Sequence, residues 1–157
     1  MNIFATNKGA WKSAQALDNK RVIKMCLESA QLLSTAMHVM GAPGAPYQAT
    51  HINHPCSVWT RASAANYLWL INHFTALCKE YTYRYGKVHK CEQYLDVFYS
   101  GYNYMPDSLD ITPFANCTKF KEEKNTFKAY KLALTDKWKN DKIKPRWTNR
   151  KKPGWAK

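Results

Sequence analysis

The feature that most constrains this chain is an apolar recurrence running from Asp18 to His38. Val22, Cys26, Ala30, Leu33 and Met37 follow one another every three or four residues, with Ile23 and Leu27 beside them. That interval keeps side chains on one side of an α-helix and predicts a buried one. Asp18 and Asn19 have the short polar side chains of an N-cap. A polar line of Arg21, Lys24, Glu28, Gln31, Thr35 and His38 runs along the same helix. Two readings fit this line. It is either a solvated stripe with an ordinary Lys24–Glu28 pair, or a row in which Glu28 works beside cations that receive an anionic substrate.

The rest of the chain also reads as helical. Trp11 to Leu17 predicts a short helix after an extended lead-in over residues 2–6. Cys56 to Tyr85 predicts a second long helix, with Pro55 near its first turn and Gly86 as its stop. Its polar members Arg61, Asn66 and His73 need partners if they are buried. A third helix is expected over Glu92–Tyr99 and a last one over Lys121–Lys139. Between them, Gly101 to Cys117 reads as an ordered loop. The prediction is an all-α, single compact domain of three to four main helices with long ordered loops. It divides into a helical body, residues 1–140, and a basic Trp-containing tail, residues 141–157, of a kind that often stays mobile until it meets phosphate.

Charge narrows the partners. Lys and Arg number 24 against 11 Asp and Glu, a formal net charge of +13. From Lys119 onward there are fourteen basic and four acidic residues, a net +10. Such a field attracts polyanions, nucleic acid first. A membrane surface fits less well, since the tail carries Trp138, Trp147 and Trp155 without an amphipathic stripe. No apolar run of about 18 residues predicts a membrane span, and Met1-Asn2-Ile3-Phe4 does not open like a signal peptide. Five widely spaced cysteines without a C-x-x-C point to reduced thiols in a cytoplasm-like compartment. His51-x-x-His54 with Cys56 resembles part of a zinc site, but no remaining ligands stand at a recognisable spacing, so no metal is assigned. A loop that touches phosphate or bases, or that is merely held by hydrogen bonds, is the expectation there.

Several of these segments together resemble a known family. The order Asp18-Asn19-Lys20-Arg21, then six residues, then Glu28 is similar to the first catalytic helix of the bacteriophage pyrimidine-dimer DNA glycosylases, also called endonuclease V. The likeness continues through His54-Pro55-Cys56, Glu80-Tyr81 and Arg84-Tyr85-Gly86 to the aromatic, basic C-terminus. Uncharacterised phage proteins share a similar pattern. The resemblance implies small helical enzymes without cofactor or metal that act on duplex DNA carrying damaged or modified pyrimidines. In that family an N-terminal α-amine attacks C1′ of the deoxyribose, an imine forms, and β-elimination nicks the strand. By resemblance Met1 or Asn2 supplies the amine, Glu28 the carboxylate, and Arg21 stands where the family has His. DNA contacts are then expected from Lys24, Gln31, His51, His54, Arg61, Tyr83, Arg84, Lys87, Lys90, Arg146, Trp147, Arg150, Lys151, Lys152 and Trp155. The protein is expected to work as a monomer in the cytoplasm of a bacterial or phage-infected cell, away from membranes. Departures are Asn2, bulkier than the family's second residue, and a longer lead into the helix. The alternatives are a non-enzymatic nucleic-acid-binding protein and an enzyme that processes nucleotides or modified bases without strand cleavage.

Overall fold

In the computed structural model, which describes residues 1–157, the long periodic stretch folds as helix α2, Asn19–Met40, after a short α1, Ala10–Ala16. Val22, Cys26, Ala30, Leu33 and Met37 are all fully buried, as their spacing predicts. Ile23 and Leu27 are not; they stand 41% and 40% exposed, one residue round the helix from the buried stripe. Gly41 ends α2 in the left-handed conformation, φ 76°, where a side chain would be strained. Asp18 occupies the N-cap position without capping the helix by its side chain. Its carboxylate instead accepts hydrogen bonds from Trp138 Nε1 at 2.7 Å and Arg21 at 3.1 Å.

The second predicted helix is two. α3 spans Pro55–Arg61 and α4 spans Ala64–Tyr85, separated by Ser63 in an extended conformation. The break is locally encoded. The Ser63 hydroxyl accepts from the Asn66 amide at 3.0 Å, while the Asn66 side chain donates to the Trp59 carbonyl left open at the end of α3. α4 is the central element. It packs against α1, α2, α3 and α5, Leu95–Ser100, and buries Tyr67, Leu70, Ile71, Phe74, Leu77 and Cys78. The residues before α5, expected as its first turn, form a 3₁₀ turn over Lys90–Tyr94. The last helix, α6, begins later than predicted, at Thr126, and ends at Asn140. The Asn125 side chain caps it by accepting from the Lys128 amide. Six helices and no strand make up the fold, and no helix is long and apolar enough to cross a membrane.

The basic C-terminal segment is not a free tail. Trp138 of α6 stacks on Trp155 with ring centroids 5.6 Å apart and meets Trp147 edge-on at 5.0 Å. Trp147 Nε1 donates to the Ala16 carbonyl. Glu80, 3% exposed, receives Arg150 from the tail through both Nε and Nη2 and Arg84 from its own helix through Nε. Arg84 also donates to the carbonyls of Leu17 and Gln15 and to Asn19 Oδ1. One buried guanidinium therefore ties together α4, the end of α1 and the start of α2.

Removing it leaves several acceptors without a donor, which costs far more than an exposed ion pair is worth. Arg84→Met is expected to destabilise the protein by about 3 kcal/mol or more. Thermal denaturation would register this as a fall of roughly 6–12 °C for a domain of this size.

Candidate active site

The first nine residues form a strap pinned across α2 and α4, not a frayed end. Asn2 folds back so that its Oδ1 accepts from the amides of Ile3 and Phe4 at 2.7 and 2.9 Å. Phe4 is buried with φ 55°, a left-handed backbone that costs an L-residue on the order of 1 kcal/mol. The Trp69 indole donates to the Lys8 carbonyl at 2.8 Å. His73, with no exposed surface, lies between two carbonyls: Nδ1 is 3.0 Å from Ala10 O and Nε2 3.2 Å from Ile3 O. Trp69 stacks on the same ring.

This strap brings the start of the chain to Glu28. The Asn2 backbone nitrogen donates to Glu28 Oε2 at 3.0 Å, while Lys24 Nζ lies 3.5 Å from Oε1. The Glu28 side chain is only 15% exposed, whereas that of Lys24 is 66% exposed. The ion pair of the first reading is therefore present, but it is not Glu28's only contact. The Lys24–Glu28 pair exists, and the same carboxylate has a second, non-solvent partner at the amino terminus. Gln31 is half-buried one turn further on.

The loop between α2 and α3 closes over this region by hydrogen bonds to α2 and α3. Thr35 Oγ1 donates to the Thr50 carbonyl and accepts from the Thr50 amide, both at 3.1 Å. His38 Nε2 meets Tyr47 O at 2.9 Å, and Arg61 donates to Ile52 O at 2.7 Å. His54 caps α3, its Nδ1 accepting from the Cys56 amide at 3.1 Å. Burial first, and then the positive charges of the Met1 amino group and His51, hold His54 below its usual pKa, with Glu28 acting the other way. His54, the amino terminus and Glu28 therefore share one electrostatic environment. Behind them the Cys56 and Cys117 sulfurs lie 3.3 Å apart, and their hydrogen bond makes Cys117 the more acidic thiol and raises Cys56.

Other residues singled out by sequence are engaged elsewhere. Arg21 is 8% exposed and held by Asp18 at 3.1 Å and Asp141 at 2.8 Å, so it latches α2 to the C-terminal segment. Arg84 is corrected outright as a phosphate contact, because it is buried with its donors committed to protein acceptors. Trp147 and Trp155 pack on Trp138, and Tyr83 lies under the Arg150 guanidinium at 4.7 Å. Exposed and outside any ion pair are His51, Lys87, Lys90, Arg146, Lys151 and Lys152, with Lys24 bound only to Glu28. Lys151 and Arg150 line a groove of about 580 Å³ with Lys12, Lys131 and Trp155. Lys24 and Arg146 line a second one of about 380 Å³ with Tyr85 and Ile143. Sequence reasoning missed Asp141, Cys117 and the anchoring of the strap by Trp69 and His73, whose partners lie 61 or more residues away.

Glu28 thus faces the peptide nitrogen of Asn2 on one side and Lys24 on the other. A family model of pyrimidine dimer DNA glycosylase matches residues 1–93. The chain belongs to that family. The match takes in the strap, Glu28, His54, Cys56 and α4, and leaves out Cys117, α6 and the C-terminal segment. No curated protein and no solved structure matches the chain. Membership makes this a DNA glycosylase of the pyrimidine-dimer class, with DNA as its substrate.

The strap also sets a pH limit. Complete burial pushes His73 down to about 4, against the two carbonyls that favour its protonated form. The unfolded chain then binds a proton near pH 6.5 that the folded chain refuses. Stability contributed by neutral His73 is full above 6.5 and declines as pH falls towards 4, by roughly 3 kcal/mol. Chemical denaturation across this interval is expected to show that slope, and His73→Gln to flatten it. A wild type that gains stability over the same interval would mean the ring is held as imidazolium.

Proposed function

We propose that this protein excises damaged pyrimidines from duplex DNA and then nicks the strand, using its amino-terminal nitrogen as nucleophile and Glu28 as the proton-handling carboxylate. The observation that carries this is the 3.0 Å contact between the Asn2 nitrogen and Glu28 Oε2. With the initiator Met removed, that nitrogen is the α-amine. An α-amine with a pKa near 8 keeps a useful unprotonated fraction at neutral pH, and a half-buried carboxylate stabilises positive charge that develops beside it. Asn2 is a bulky second residue, but its side chain turns inward against the amides of Ile3 and Phe4, away from the contact.

The chemistry follows from these positions. The amine lone pair forms a bond to C1′ as the glycosidic bond breaks and its electron pair leaves with the base. Glu28 takes the proton lost from nitrogen and returns it to O4′ as the sugar ring opens, giving an imine. Loss of the C2′ proton then expels the 3′ phosphate by β-elimination. Reaching C1′ in a duplex requires unstacking of the target nucleotide. The exposed side chains of His51, Lys87, Lys90, Arg146, Lys151 and Lys152 are assigned to the phosphates, with Lys24 and Gln31 nearest the reacting sugar. His54 and Arg61 shape the loop beside it. Arg21, Tyr83, Arg84, Arg150, Trp147 and Trp155 act through the fold that presents those groups.

Borohydride is expected to trap a covalent adduct with dimer-containing or abasic duplex, and acetylation of the amino terminus to abolish it. Mass measurement of the adduct's first peptide reads whether residue 1 or 2 carries the bond. Glu28→Gln is expected to slow excision by about 10²–10⁴-fold with little change in DNA affinity. Excision unchanged in that variant would instead favour a binding protein in which Glu28 merely pairs with Lys24.

Binding should be strongly salt-dependent. Replacing Lys151 and Lys152 by Ala is expected to reduce the slope of log K against log salt by about 0.9 for each phosphate that the protein no longer neutralises. An unchanged slope would remove the C-terminal segment from the interface.

A further inference from the structure

A second chemical cluster lies beside the amino terminus and takes no part in the reaction above. One nitrogen or sulfur atom from each of His54, Cys56 and Cys117 lies within 4.8 Å of the others. The sequence suggested a pair, His51 and His54, but His51 is exposed, with its ring engaged by Thr50 Oγ1 at 2.8 Å. The donor that completes the set comes from 61 residues beyond Cys56. Ligand atoms around tetrahedral zinc stand about 3.5–3.8 Å apart, given metal–sulfur bonds near 2.3 Å and metal–nitrogen bonds near 2.1 Å. The sulfurs, 3.3 Å apart, need to separate by only a few tenths of an ångström.

The Cys117 side of the cluster is braced. On the other side His54 and Cys56 stand at the first turn of α3, and because the His54 Nδ1 lone pair accepts from the Cys56 amide, binding an ion through either ring nitrogen exchanges that cap bond for the metal bond. Cys117 sits in a tight turn in which Asn116 Oδ1 accepts from both the amide and the hydroxyl of Thr118, while Asn116 Nδ2 donates to Phe120 O. Below it, the Tyr130 hydroxyl accepts from the Cys117 amide and donates to Ala115 O at 2.7 Å. Bracing of the ligand-bearing backbone by outer groups is what metal sites use to hold their donors in place. Cys117 also lines a cavity of about 200 Å³ together with Asn2 and Phe4, so the open side faces the strap.

We propose that His54, Cys56 and Cys117 bind a borderline-soft divalent cation, zinc by donor type, with the fourth position open to water. Two thiolates and an imidazole disfavour calcium and magnesium, which take oxygen ligands. The bound ion clasps α3 to the turn ahead of α6, joining the family-matched half of the chain to the half outside the match.

Cobalt(II) titration of the reduced full chain, without DNA, tests this independently of any glycosylase activity. The expected result is one equivalent bound, with intense thiolate-to-cobalt charge-transfer absorption and the visible bands of tetrahedral cobalt, both displaced by zinc. Cys117→Ser and His54→Gln should each weaken binding by at least 100-fold, and Tyr130→Phe by about 10-fold. Cys91→Ser, outside the cluster, should change nothing. Circular dichroism checks that each variant is folded, so the reading does not depend on the buried Cys56. Absence of thiolate absorption in the wild type, or equal cobalt binding in folded Cys117→Ser and wild type, overturns the proposal.

Discussion

The structure depends on the way α4 grips the first residues of the chain. His73 and Trp69 lie one turn apart on one helix face; Trp69 donates to the Lys8 carbonyl, and the neutral His73 ring, set between the carbonyls of Ile3 and Ala10, donates to one of them. Without that grip the strap keeps only the Asn2–Glu28 and Asn7–Ser13 bonds and the edge contact of Phe4 with Tyr130, with Phe4 in a left-handed conformation between them. Backbone strain of this kind persists only where surrounding contacts over-determine it. Here its effect is to fix a chain terminus, ordinarily the most mobile part of a domain, against a carboxylate on the neighbouring helix.

What could be read from sequence follows the range of the interactions. The interval-of-four recurrence placed α2 within two residues and marked Val22, Cys26, Ala30, Leu33 and Met37 as buried. Asn66 and His73 stood out as polar residues on an apolar face, and both are buried and bonded. The break at Ser63 was also local in cause, yet an apolar rhythm that continues across it hides the capping serine. Glu28 was singled out for its neighbours on the helix, whereas its decisive partner, Asn2, is 26 residues away. Arg21 and Arg84 looked like phosphate ligands because a cation in sequence carries no sign of the carboxylate it will meet. Asp141 and Glu80 meet them only in the folded chain.

Those pairings also explain the surface. Seven of the 11 acidic residues are engaged in ion pairs, and they occupy seven of the 24 Lys and Arg, leaving seventeen cations and four acids unpaired. The most deeply buried acids, Asp18 and Glu80, are tied to the arginines that join the helices and the C-terminal segment. The folded surface is therefore more one-sided in charge than the composition alone suggests. A field of that sign draws a polyanion in from a distance, while salt shortens its reach to about a Debye length.

Exposed charge and the shielded carboxylate lie in different parts of the molecule. Cations are spread over the C-terminal segment and the end of α4, whereas Glu28 stands beside the strap with its side chain only 15% exposed. The indoles of Trp138, Trp147 and Trp155 connect the two regions by packing the C-terminal segment against α6 and the end of α1. A disordered tail would lose conformational freedom when it met DNA. By packing on its own tryptophans this segment has already lost most of that freedom on folding, so the positions of its lysines relative to Glu28 are set by the fold and not by whatever polyanion they meet.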